Sequence, residues 1–127
     1  MPTASEQMRF LVVDDNEDIR EVFARIVERA GHHASTAADG VEAVEAVQRE
    51  PYDVMLLDLS MPRMTGLEVV QWLRTNDEVA PTMRVIVVSA WTGDHRRELD
   101  DLGVDRVLEK PVHVAQLKQL IAELAAA

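Results

Sequence analysis

Apolar residues follow two alternating patterns along this chain: short unbroken runs, and longer stretches spaced three and four apart. Phe10 to Val13, Val54 to Leu57 and Val85 to Val88 are unbroken runs, too short for helices and suited to strands buried on both faces. After the first run, Ile19, Val22, Phe23, Ile26, Val27 and Ala30 keep the i, i+3, i+4, i+7 rule and Gly31 stops the pattern, which predicts a helix with one buried stripe. Ala34 to Ala37 is a weaker strand candidate whose small residues suit a sheet edge. Asp39 with Glu42 opens a second helix, with Val41, Val44 and Val47 facing inward and Pro51 ending it. Thr65-Gly66-Leu67-Glu68 reads as a capping box ahead of an inward stripe of Leu67, Val70 and Leu73. The helical stretch at 93–102 holds only two large apolar residues, Leu99 and Leu102, so it should be the least firmly docked. A last short strand falls within Val104 to Leu108, and Val114, Leu117, Leu120, Ile121 and Leu124 mark a closing helix.

The order is strand then helix, five times over. Strands alternating with helices imply an α/β fold: a (βα)5 doubly wound five-stranded parallel sheet with helices on both faces. Right-handed crossovers leave few topologies. The flavodoxin-like order 2-1-3-4-5 fits, because it puts the weak second strand and the short fifth strand on the edges.

In such a sheet the polar exceptions gather on one side. Asp14 and Asp15 follow the first strand, Asp58 ends the third, Ser89 ends the fourth and Lys110 follows the fifth. Parallel strands place all of them at the carboxyl edge, where open α/β sheets keep their ligand crevice. Strands one and three are neighbours, so three carboxylates converge. At about 5 Å and an effective dielectric near 20, each pair repels by roughly 3 kcal/mol, which calls for a cation. Oxygen-only ligands with open water positions suit Mg²⁺ rather than zinc. The fifth strand lies about 10 Å from the third, and only a long cation such as Lys110 reaches back. A carboxylate beside Mg²⁺, a hydroxyl and an ammonium is a site for a phosphoryl group on Asp58, with Ser89 donating a hydrogen bond to it.

Composition narrows the partners. The chain has 127 residues, 47% of them apolar, enough for one domain with one core. Residues 1–7 read as a loose leader. The net charge of −10 repels phosphate backbones and anionic lipid, which argues against nucleic acid and membrane partners. No cysteine is present, so thiolate metal sites and disulfides are excluded. With no signal peptide and no apolar run long enough to span a bilayer, a cytoplasmic location is expected. The four histidines (His32, His33, His95, His113) lack metal-ligand spacing among themselves.

Four motifs carry a resemblance: Leu11-Val12-Val13-Asp14-Asp15-Asn16; Leu56-Leu57-Asp58-Leu59-Ser60-Met61-Pro62-Arg63-Met64-Thr65-Gly66; Val87-Val88-Ser89-Ala90; and Lys110-Pro111. Over residues 8–126 the chain resembles the receiver domains of two-component response regulators. The resemblance implies that a histidine kinase or a histidine phosphotransfer protein donates a phosphoryl group to Asp58. It implies Mg²⁺ on Asp15, Asp58 and the backbone carbonyl of Ser60, with Asp14 acting through water, and a cis Lys110–Pro111 peptide. It also implies a downstream protein target, and either a monomer or a weak dimer that forms on phosphorylation. One departure stands out. Where the family usually has Tyr or Phe, three residues before the lysine, this chain has Val107. Signalling is then expected to run through the Ser89–Trp91 loop and the fourth helix, with Trp91 either a lid over the site or a packing residue and Trp72 structural. Two other readings were an interaction module that keeps the fold without phosphorylation and an aspartyl phosphohydrolase. The second is disfavoured because such enzymes generally resemble Asp-x-Asp at the nucleophile and Ser60 stands in the second position.

Overall fold

The computed structural model describes residues 7–61, 63–90 and 96–126. The elements are β1 (Arg9–Val13), α1 (Glu17–Arg29), β2 (His33–Ala37), α2 (Gly40–Arg49), β3 (Val54–Asp58), α3 (Gly66–Thr75), β4 (Arg84–Ser89), α4 (Arg96–Asp101), β5 (Arg106–Glu109) and α5 (Val114–Ala126). They form a five-stranded parallel sheet in the order β2-β1-β3-β4-β5. Alternation along the inner strands divides the core in two. Leu11, Val13, Met55, Leu57, Val85 and Val87 belong to the cluster that includes α2, α3 and Leu99 of α4. Phe10, Val12, Val54, Leu56, Ile86 and Val88 pack with α1 and α5. Both faces of the inner strands are thus covered, as a parallel sheet requires.

Helix ends follow the local chemistry. Asp39 Oδ1 accepts from the Glu42 N–H, while the Glu42 side chain reaches back one residue further than in a standard box, to the Ala38 N–H. Thr65 and Glu68 form a full reciprocal box at α3. Gly31 closes α1 at φ 93°, a left-handed position that glycine takes without steric cost.

Several expected details shift. Val22 lies 47% exposed rather than inward, and Ala30 is exposed too. On α2 the buried positions are Ala43, Ala46 and Val47, with Val41 and Val44 half-buried; on α3, Val69 is buried where Leu67 is half-buried. Val47 on α2 and Val70 and Leu73 on α3 are buried as expected, so the stripes keep their place and widen to take in Ala43, Ala46 and Val69. The fourth helix is described as Arg96–Asp101, buries only Leu99 and has its expected start at 93–95 outside the described residues. The fifth strand, Arg106–Glu109, starts inside the expected span and ends one residue past it. The Val104 N–H bonds back to Leu99 O to close α4; Asp105 then meets Val85 twice, its N–H donating to Val85 O at 2.9 Å and its side chain accepting from the Val85 N–H at 2.7 Å. The expected leader falls almost wholly outside the described residues. No helix among the described residues is long and apolar enough to cross a membrane.

Candidate functional site at the carboxyl edge of the sheet

The register sets the site. Val13 pairs with Leu57, so Asp14 stands level with Asp58, the last residue of the buried strand β3. Asp14, Asp15 and Asp58 each offer a carboxylate oxygen within 4.8 Å of the others. Asp14 and Asp58 are each only 3% exposed, while Asp15 is open to solvent. Two opposed ligands of a Mg²⁺ ion with bonds of about 2.1 Å would lie roughly 4.2 Å apart, so the three oxygens span about the right space. The donor set, all hard oxygen and open on one side, fits the same ion.

Ser89 pairs with Glu109 across β4 and β5, which brings the next residue, Lys110, to the same edge. The Lys110 N–H donates to Ser89 O at 2.8 Å, and Lys110 Nζ lies 3.1 Å from Asp58 Oδ1. The Lys110–Pro111 peptide is cis. Ser89 is buried and lines, with Ser60, Thr65 and Ala90, an open hollow of about 460 Å³ beside the acids. The Ser60 N–H donates to Asp58 Oδ1 at 3.3 Å. Expected site residues Asp14, Asp15, Asp58, Ser60, Ser89 and Lys110 therefore share one edge. Trp91 lies outside the described residues. Trp72 packs half-buried against the α2–α3 cluster, consistent with a structural part.

The electrostatics are tense. Burial raises the Asp14 pKa above the ordinary carboxylate value, and the charges of Asp58 and Asp15 push it the same way. The Asn16 N–H, bonded to Asp14 Oδ1 at 2.9 Å, and the charge of Lys110 oppose this without overcoming it. A cation bound among these oxygens would reverse the balance.

Two residues escaped the sequence reading. Asn16 caps α1, its Oδ1 accepting from the Ile19 N–H; an Asn three positions ahead of the periodic stripe was a legible signal. Arg63, in the turn after Asp58, has φ 64° and both its Nε and Nη2 donate to Asp39 Oδ2. A pairing across 24 positions has no signature in sequence.

A model of the response regulator receiver domain matches residues 10–122. This chain belongs to the response regulator receiver family. The receiver is 38% identical over 120 residues to the response regulator MprA of Mycobacterium leprae, covering 94% of this chain and 50% of that protein. It is 38% identical over 122 residues to the sensory/regulatory protein RpfC of Xanthomonas campestris pv. campestris, covering 93% of this chain and 16% of that one. The chain thus spans half or less of the length of these relatives. Among solved structures, the response regulator TrrA of Thermotoga maritima in complex with Mg²⁺ and BeF is similar with a TM-score of 0.79 and 30% identity, covering 93% of this receiver and 99% of that chain.

Proposed function

We propose that this receiver is a phosphoacceptor: a phosphohistidine on a histidine kinase or a histidine phosphotransfer protein is the donor, and Asp58 is the acceptor. The observation that carries the reading is the buried carboxylate of Asp58 held between two further acids and the Lys110 ammonium. In the transfer, a carboxylate oxygen of Asp58 attacks the phosphorus, the P–N bond breaks, and the imidazole nitrogen leaves with the electron pair. Asp15, Asp58 and the Ser60 carbonyl would hold Mg²⁺, with Asp14 acting through water, a reading supported by the cluster of three carboxylates. When bound, the ion neutralises the oxygens of the transferring group. Lys110 supplies the second positive charge from β5, and the Ser89 hydroxyl donates to the phosphoryl group once it is attached. Beside Lys110, Ile19, Phe23, Pro111 and Val112 line an apolar hollow of about 390 Å³, a surface suited to a docking phosphodonor.

The output would be a change in affinity for a downstream protein. Val107 is half-buried against the α2–α3 side of the core and is too short to swing across the site. Coupling would then run through the Ser89–Trp91 loop into α4, whose only buried side chain is Leu99. We place this chemistry in the cytoplasm, in a single receiver unit that is a monomer or a weak phosphorylation-dependent dimer.

The test is intact-mass measurement after incubation with Mg²⁺ and acetyl phosphate. One phosphoryl mass on the wild type and none on Asp58→Asn is expected; equal label on both removes the assignment. With Mg²⁺ and beryllofluoride, the tryptophan fluorescence change should persist in Trp72→Phe and vanish in Trp91→Phe. The reverse pattern rules out the Ser89–Trp91 route.

A further inference from the structure

Outside the acid cluster, one pairing joins the two halves of the site's rim. Asp39 is the N-cap of α2, buried, with one oxygen engaged by the Glu42 N–H at 2.9 Å. Its other oxygen takes two hydrogen bonds from Arg63, at 2.9 and 2.6 Å. Burial alone would raise the Asp39 pKa, but the Glu42 N–H, the Arg63 bonds and charge, and the Val41 N–H together hold it below the ordinary value. Arg63 reaches Asp39 from a left-handed backbone at φ 64°, a conformation that a side-chain-bearing residue adopts only when its surroundings enforce it.

The neighbours of the pair lead to both carboxylate-bearing strands. Two residues before Asp39, the Ala37 carbonyl accepts from the Asp14 N–H at 3.2 Å. Beside Asp39, Gly40 is pressed on Met64: a Cβ there would run into the Met64 carbonyl oxygen and sit 2.7 Å from Met64 Cβ and 2.9 Å from its carbonyl carbon. On the other side, the turn that carries Arg63 begins at Ser60, whose N–H bonds Asp58, and ends where Gly66 N–H bonds Leu59 O at 3.0 Å. That turn is thus fastened at its start to Asp58 of β3, at its end to Leu59 just after β3, and through Arg63 to Asp39 at the start of α2. Among the described residues, the Gly40–Met64 contact and the Arg63–Asp39 bonds are the links from the start of α2 to this turn, and the second is the one made by charged side chains.

We propose that the Arg63–Asp39 pair is a positioning clamp that holds the Ser60 turn in register with Asp14 and Asp15 for Mg²⁺ binding. This rests on the phosphoacceptor reading above, because it assigns Ser60 a part in the metal site. Arg63 and Asp39 touch neither the metal nor the phosphoryl group; they act through the turn. The bond is exposed on the Arg63 side and buried on the Asp39 side, so it pins the turn without closing the site.

The experiment measures Mg²⁺ affinity by calorimetry, amide exchange at residues 60, 61 and 63–66 without metal, and Tm, in Asp39→Asn, Arg63→Gly, Arg63→Lys and the double variant Asp39→Asn with Arg63→Gly. Asn keeps the cap oxygen, and Gly accepts positive φ at no steric cost, so neither substitution breaks the fold locally. Removing a partner one shell outside a metal site costs about 10–100-fold in affinity; for a clamp one step further out, a loss of roughly three- to tenfold is expected. The double variant should lose no more than either single one, the signature of one shared interaction. Arg63→Lys should fall between wild type and Arg63→Gly, since Lys supplies the charge without the fork. The amides of residues 60, 61 and 63–66 should lose protection in Arg63→Gly while its Tm stays level or rises. Unchanged Mg²⁺ affinity and exchange in Arg63→Gly and Asp39→Asn, multiplying losses in the double variant, losses that only track Tm, or no Mg²⁺ binding by the wild type would each overturn the clamp. Failure of Asp58 to label while the clamp variants still weaken Mg²⁺ would instead count against the phosphoacceptor reading alone.

Discussion

Where the strands of this sheet begin, charged groups are matched; in the acid cluster where β1 and β3 end, they are not. At the first edge Asp53 accepts from the Arg9 N–H at 2.8 Å, Arg9 bonds Glu50 at 2.6 Å and its guanidinium lies 5.5 Å from the centre of the Tyr52 ring. Arg84 donates to the Leu124 carbonyl, Asp105 accepts from the Val85 N–H, and Arg106 pairs with Glu123. At the second edge, among the described residues, the cluster brings three carboxylates to one lysine, and two of the three are buried. Both edges are built on the same strands and flanked by the same helices. The difference teaches where this fold keeps its chemistry: the matched edge holds strands in register, and the unmatched edge stores repulsion that a ligand can relieve.

The largest expected effect sharpens that contrast from the unmatched side. Outer-shell partners alone are worth about 10–100-fold in metal affinity, so removing the two carboxylates proposed above as direct ligands, Asp15→Asn with Asp58→Asn, should weaken Mg²⁺ binding by at least about 100-fold. The same loss of charge should leave the metal-free protein no less stable, and Asp14→Asn should raise its Tm, because the variant keeps an oxygen for the Asn16 N–H and loses a buried charge. Calorimetric Mg²⁺ titration and metal-free thermal melts check both halves. A metal-free Tm that drops in Asp14→Asn would mean the acids are structural, and the two edges would not differ in kind.

Much of this contrast was legible from residue order. The unbroken apolar runs at Phe10–Val13, Val54–Leu57 and Val85–Val88 announce buried strands, and once the strands are parallel the acids after two of them must meet. What the sequence leaves dark has a common cause: it depends on which side chain fills space between distant segments. Val22 obeys the helical period yet faces outward. The entry to β5 is fixed by Asp105, whose side chain accepts from the β4 backbone at Val85. The Arg63–Asp39 bond needs a positive-φ turn that no apolar pattern encodes. Likewise the matched edge, assembled from residues up to 44 positions apart, gave no sign of itself in the sequence.

A smaller effect comes from that matched edge. Val85 is buried and its N–H donates to Asp105 Oδ2 at 2.7 Å. In Asp105→Ala this donor loses its partner inside the sheet, which costs about 1–3 kcal/mol. The five residues of β3 separate the two edges by roughly 16 Å, far enough for effects to be independent. Chemical denaturation should therefore show the loss while Mg²⁺ affinity stays at the wild-type value. A Mg²⁺ affinity that falls along with stability would show that the edges are coupled.

The smallest effect is one of pH, and it runs in opposite directions at the two edges. At the matched edge, His32 Nδ1 accepts from the Met8 N–H at 3.0 Å, and its ring lies 5.6 Å from that of Phe10. Burial first, and the nearby His33 second, lower its pKa below the ordinary 6.5. The unfolded chain then takes up a proton before the folded protein does. His32 therefore contributes no penalty above about pH 6.5, and stability is lost as pH falls below that value toward the lowered folded pKa. At the unmatched edge Asp14 has a folded pKa raised above 3.8. Its penalty is absent below pH 3.8 and grows as pH rises through the raised value, so acidification there relieves the folded state. The two windows do not start together: on lowering pH from neutrality with no metal present, the histidine window opens from about pH 6.5 downward. Replacing His32 by Gln, which can still accept from Met8, should flatten the fall in denaturation free energy between pH 7.5 and 5.5, and Asp14→Asn should flatten the gain that acid brings at the other edge. Identical pH profiles for wild type and His32→Gln would show that the histidine ring, protonated, finds a partner in the folded protein that this geometry does not supply.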